Sequence, residues 1–237
     1  GGEIEAPNGT MIDLKGASDS DYLRGHGLWT AGINNETSIR ANGGTLTIDA
    51  TNCPTNWDGE NEQGRLDVRN GNLHLIQPFG TATFNSYLIA GNGNTLTLDT
   101  PDWDFTSESQ IVLGGDDGQG AIITSTGSIE IEGSVTVSEP STFASPTLFQ
   151  STSYLGLDAT ELSLSGGEFE IKQGAEVKGD GVLKITHSAA LSFGVLNEID
   201  TGLTNEGILV INKSSAGLLT INGPLIVDRS LTALKTG

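Results

Sequence analysis

Asp102-Trp103-Asp104 sets two carboxylates on either side of an aromatic ring, the arrangement in this chain best suited to sugar chemistry. Cleaving a glycosidic bond takes two carboxyl groups flanking it, about 5–9.5 Å apart. Side chains two residues apart on one strand face lie roughly 6.5–7 Å apart, inside that range. Glu130/Glu132, Glu168/Glu170 and Glu198/Asp200 repeat the spacing. A plainer role suits all four pairs, because the outward face of an alternating strand is polar by necessity and acids are the majority charge here. For the Asp102 triplet the plainer role is a turn with a packed tryptophan.

A polysaccharide lyase would need a bound cation and a basic group to abstract a proton. Arg65-Leu66-Asp67-Val68-Arg69 puts Arg65, Asp67 and Arg69 on one strand face, beside an acidic loop that carries Asp58, Glu60 and Glu62. As scaffold alone, the same triplet is a surface ion-pair ladder worth little. Calcium is the cation the composition suits, since it takes about six to eight oxygens from carboxylates and carbonyls in glycine-containing loops. Asp116 and Asp117, within Gly114–Gly120, and the Asp58, Glu60, Glu62 loop offer such oxygens without EF-hand spacing. No other cofactor is expected.

His26, His74 and His187 stand apart from one another, which disfavours a zinc or iron site. The chain has no GxSxG elbow, no GxxxxGK[ST] loop and no GxGxxG. Thr45/Thr47, Thr81/Thr83 and Thr95/Thr97 are hydroxyl pairs too irregularly spaced for a flat water-ordering rank. Cys53 is the only cysteine, so no intramolecular disulfide forms; a small buried hydrophobe is its expected role.

Charge narrows the partners. Of 237 residues, 30 are Asp or Glu and 11 are Lys or Arg, a formal charge of −19. Nucleic-acid binders need a basic stripe to displace counterions, and here the basic residues are scattered. Anionic membrane surfaces are disfavoured for the same reason, and no apolar run reaches the ~18 residues of a membrane span. Uncharged glycans and divalent cations remain compatible. The chain opens on Gly1-Gly2-Glu3 and not on Met, as a processed or shortened chain does.

The elements that must position these residues are short strands. Thr45-Leu46-Thr47-Ile48-Asp49 and Thr95-Leu96-Thr97-Leu98-Asp99 are near copies. Similar alternation runs through Ile129/Ile131, Leu162/Leu164, Phe169/Ile171, Leu183/Ile185, Leu209/Ile211 and Leu219/Ile221. Gly and Asn clusters punctuate them, and Gly at 33 residues with Pro at 7 fits tight bends better than disorder. With 5 % aromatics, all three Trp before residue 104 and a second half packed almost wholly with Leu, Ile and Val, a narrow coil is favoured over a deep core. The pattern predicts an all-β, right-handed parallel β-helix, with a β-sandwich or jelly roll as the alternative. Residues 1–44 read as an irregular N-terminal cap or first coil and 45–237 as the solenoid body, one domain overall. Ten or so coils of ~22 residues would make a rod about 50 Å long. Ile208-Leu209-Val210-Ile211 is apolar on both faces and predicts a cover on its outer side.

Asn205-Glu206-Gly207-Ile208-Leu209-Val210-Ile211-Asn212 and Ala216-Gly217-Leu218-Leu219-Thr220-Ile221-Asn222-Gly223 resemble rungs of bacterial autotransporter passengers and haemagglutinin-type adhesins. The likeness covers roughly residues 120–230. It implies an extracellular or cell-surface, non-catalytic structural or adhesive protein, self-associating or binding other surface proteins or glycans. It transfers no catalytic residue. The alternative is a carbohydrate-active β-helix using Arg65, Asp67, Arg69, Asp102 and Asp104.

Overall fold

In the computed structural model every paired strand runs parallel to its neighbours, and the described residues contain strands but no helix. The structure describes residues 2–5, 9–15, 22–58, 64–194, 197–213, 219–227 and 231–235. It is a β-solenoid of about nine turns, in place of the sandwich or jelly-roll alternative. At ~4.8 Å per coil the stack runs to about 40 Å. No helix among these residues is long and apolar enough to cross a membrane.

Each regular coil has three sides. The first carries strands such as Arg65–Asn70, Tyr87–Ala90, Gln110–Leu113, Ser134–Val137 and Tyr154–Leu157. The second carries Leu73–Ile76, Thr95–Asp99, Ile122–Ser125, Ser141–Phe143 and Glu161–Leu164. These two sides merge into one 17-stranded sheet, because long strands such as Ser38–Asp49 and Glu176–Ile185 run round the corner. The third side is an eight-stranded sheet that includes Thr81–Phe84, Asp102–Phe105 and Ser128–Ile131.

Register shows the period. Arg65 pairs with Tyr87, Tyr87 with Gln110, Gln110 with Ser134, Ser134 with Tyr154 and Tyr154 with Glu176. A coil therefore takes 20–24 residues over this stretch, the variation being absorbed at the corners. Ser38 pairs with Arg65, a longer step that contains the polar loop beginning at residue 50.

Alternation puts one row of side chains inside and stacks like on like. The first side contributes Ile39, Leu66, Leu88, Ile111, Val135 and Leu155, all buried. The inward positions predicted from sequence between Leu46 and Leu209 are all buried; Leu219 and Ile221 are half-buried, and the side chain of Ile211 lies outside the described residues. The aliphatic expectation for the second half needs correction. Phe143, Phe149, Phe169 and Phe193 are fully buried there, and Phe143 meets Phe149 edge to face at 6.0 Å. On the third side Phe84, Phe105, Ile131, Phe149, Ile171 and Phe193 form one column, so phenylalanines fit as stacked rungs without a deep core.

Corners depend on asparagine as much as on glycine. Asn92 holds a left-handed φ of 59°, tolerated because its short amide bonds locally. Its Nδ2 donates to the Arg69 carbonyl at 3.1 Å, and its Oδ1 accepts the Asp116 backbone N–H at 3.0 Å. Asn72 does the same one coil earlier, accepting the Thr95 N–H at 2.9 Å. Each amide thus satisfies backbone groups that a bend removes from the ladder.

Three expectations land differently. The division at residue 44 falls inside the strand Ser38–Asp49, which pairs with strands on both sides of it. Cys53 is half-buried, not buried, because it sits in the turn after Ala50 and not on an inward rung. Ile208 is 48 % exposed, so nothing in the chain covers that outer position.

Candidate functional site

Arg65, Asp67 and Arg69 do share the outward face of one strand on the first side, but they do not form a surface ladder. Asp67 is only 3 % exposed. Arg69 grips it bidentately, and the Arg69 backbone N–H also donates to Oδ1 at 3.1 Å. Arg40, Asp67's partner in the preceding coil, brings its Nη2 to 2.7 Å from Oδ2. Burial works against ionisation of this carboxyl, but the Arg69 hydrogen bonds and the charges of Arg69 and Arg40 outweigh it and hold Asp67 below its usual range. Arg65 stands apart, with its guanidinium 6.0 Å from the Tyr87 ring centroid. The cluster is an internal clamp between coils.

Asp102 and Asp104 lie on the third side, so they share no face with the Arg65 strand. The triplet is a strand, not a turn, and Trp103 points inward at 1 % exposure. Its ring packs 5.8 Å from Trp57 and 5.9 Å from Phe105, which removes it as a sugar platform. The carboxylates that do meet come from different coils. Asp104 pairs with Glu130 in the next coil. Partial burial, then the charges of Glu132 and Glu130, push the Asp104 carboxyl above its usual range. Ser128 donates to Asp102, and Gln150 to Glu130. Spacing along one strand could not reveal the Asp104–Glu130 pairing; aligning Asp102-Trp103-Asp104-Phe105 on Ser128-Ile129-Glu130-Ile131 could.

The other carboxylate pairs are tied into the surface. Glu170 pairs with Lys172 at 2.9 Å, and Glu198 and Asp200 both accept from Asn222. Of the calcium candidates, Asp117 Oδ1 accepts the Gln119 N–H at 2.9 Å, and the Asp116 N–H bonds Asn92. Asp58 is buried and accepts the Asn85 N–H at 2.6 Å, while Glu60 and Glu62 lie outside the described residues. Among the described residues no group of three or more His, Cys, Asp or Glu is placed to hold a metal ion.

No family model, curated protein or solved structure matches the chain.

Residue-type reasoning passed over two tyrosines. Tyr87 and Tyr154 occupy one outward column of the first side, with Gln110 and Ser134 between them. Tyr154 is 40 % exposed. The signal was present in the matching openings of Tyr87-Leu88-Ile89-Ala90 and Tyr154-Leu155-Gly156-Leu157, but only register shows that the rings face the same way.

Proposed function

We propose that the chain is an extracellular, non-catalytic structural or adhesive β-solenoid that works through its outer sides at a cell surface. The observation that supports this reading is the register itself. About nine turns hold outward side chains in continuous columns on three sides, which suits repeated contact with an extended partner. The clamp on Asp67 fits the same reading, since the chain's basic-plus-acidic cluster serves to join coils. Placement outside the cell draws on the likeness to surface solenoids and on the acidic, single-cysteine composition. Binding of the purified, labelled chain to intact cells and to isolated cell-wall material tests this, with scattering to establish a rod. Saturable binding without turnover is the expected result; release of reducing ends or unsaturated products from a polysaccharide panel would overturn it.

One observation favours a second reading, a carbohydrate-active solenoid. Asp104, raised towards the protonated form beside Glu130, has the character of an acid–base pair. Turnover abolished by both Asp104→Asn and Glu130→Gln would establish that reading in place of the first.

A further inference from the structure

We infer that the outer face of the first side, from Tyr87 to Tyr154, is a binding site for an uncharged polysaccharide, with the two tyrosine rings stacking on its hexose rings. The inference rests on the adhesive reading and names the ligand for one of the sides that reading invokes.

Register carries the geometry. Tyr87, Gln110, Ser134 and Tyr154 succeed one another in a single column, so the two rings stand three coils, or about 14 Å, apart. The neighbouring outward column over the same coils is Ile89, Val112, Thr136 and Gly156. None of these eight positions carries a charge, in a chain whose net charge is −19. The strip is bounded by Arg65 and Asp67 at one end and by the Glu176–Lys178 ion pair, 2.7 Å, at the other.

Gly156 sets the pose of Tyr154. A Cβ at 156 would lie 2.9 Å from Tyr154 Cε1 and 3.2 Å from its Oη, so the ring leans along the strand over the space a side chain would fill. The ring is thereby supported from the sheet side and left 40 % exposed. Tyr87 is oriented by the Arg65 guanidinium, 6.0 Å from its centroid.

That arrangement matches a particular ligand chemistry. A pyranose ring presents C–H groups on its faces and hydroxyls round its rim. The faces gain from burial against an aromatic ring. The rim needs donors and acceptors, which the Gln110 amide and the Ser134 and Thr136 hydroxyls supply. An uncharged strip 14 Å or so long suits an extended chain of such rings, and the surrounding acidic field repels a polyanion.

The test uses affinity gel electrophoresis of the whole chain through soluble xyloglucan, galactomannan, mixed-linkage glucan and dextran, with polygalacturonate and alginate as charged probes. We expect retardation by at least one neutral polymer and none by the charged ones. Tyr154→Ala and Tyr87→Ala should each weaken the retained interaction about tenfold. Tyr154→Phe keeps the stacking face and should stay near wild type. Gly156→Val, which displaces the ring, should behave like Tyr154→Ala, with melting curves establishing that each variant is folded. Failure to bind any neutral polymer, preference for polygalacturonate, or unchanged affinity in both alanine variants would overturn the site. Cell or wall binding that persists in the double alanine variant would overturn this site alone and leave the adhesive reading standing.

Discussion

Arg69 holds Asp67 with both edges of its guanidinium, Nε to Oδ1 at 3.1 Å and Nη2 to Oδ2 at 2.8 Å. Arg40 closes on the same Oδ2 from the coil before. The carboxylate is almost wholly buried, while both arginines keep part of their side chains in solvent. Removing the carboxylate leaves two cations side by side. Asp67→Ala should therefore destabilise the fold by about 3 kcal/mol, towards the low end for a broken buried pair because of that exposure. Denaturant unfolding of wild type and variant measures it; a loss below about 0.5 kcal/mol would show that the clamp does not hold the coils.

The same clamp has a pH signature. The Asp67 carboxyl is depressed in the folded chain, so its contribution is complete above the unfolded value near pH 4 and is lost as pH falls through the folded value. Wild type should lose stability over that acid range more steeply than Asp67→Asn. Thermal melts between pH 7 and pH 2 compare the slopes, and parallel curves would contradict the assignment.

Asp104 should behave in the opposite sense. Its carboxyl is raised by burial and by Glu132 and Glu130, so the ionised form works against folding above the folded value, and the cost disappears below the unfolded one. Asp104→Asn should raise the melting temperature by about 1–2 °C at pH 7, a small gain because the group is partly exposed. The gain should vanish at pH 3. A variant less stable than wild type at pH 7 would mean that the carboxylate makes contacts the fold requires.

The corner at Asn92 separates two effects. Asn92→Gly keeps the left-handed backbone but loses the bonds to Arg69 and Asp116, a cost of about 1–2 kcal/mol. Asn92→Ala loses the same bonds and adds about 1 kcal/mol of backbone strain. Equilibrium unfolding should rank wild type, Gly, then Ala, and equal stability of the two variants would show that the positive φ is unimportant there.

Much of the architecture was legible because it is local. Period-2 alternation in Leu96/Leu98 or Leu162/Leu164 dictates which side chains go inside, since successive residues point to opposite faces. Asn and Gly at the bends mark where the backbone must leave the ladder. These rules alone determined an all-β chain of short parallel rungs with an aliphatic inner row. Neighbours across coils were decided only by the tertiary structure. Arg40 meets Asp67, Asp104 meets Glu130, and Tyr87 shares a column with Tyr154, because parallel ladders fix register between residues about 22 apart. That register depends on how many residues each corner absorbs, from 20 to 24 per coil, and no local propensity encodes the number. A shift of one residue would turn every side chain of a rung to the other face, so burial of the whole stack selects the register together.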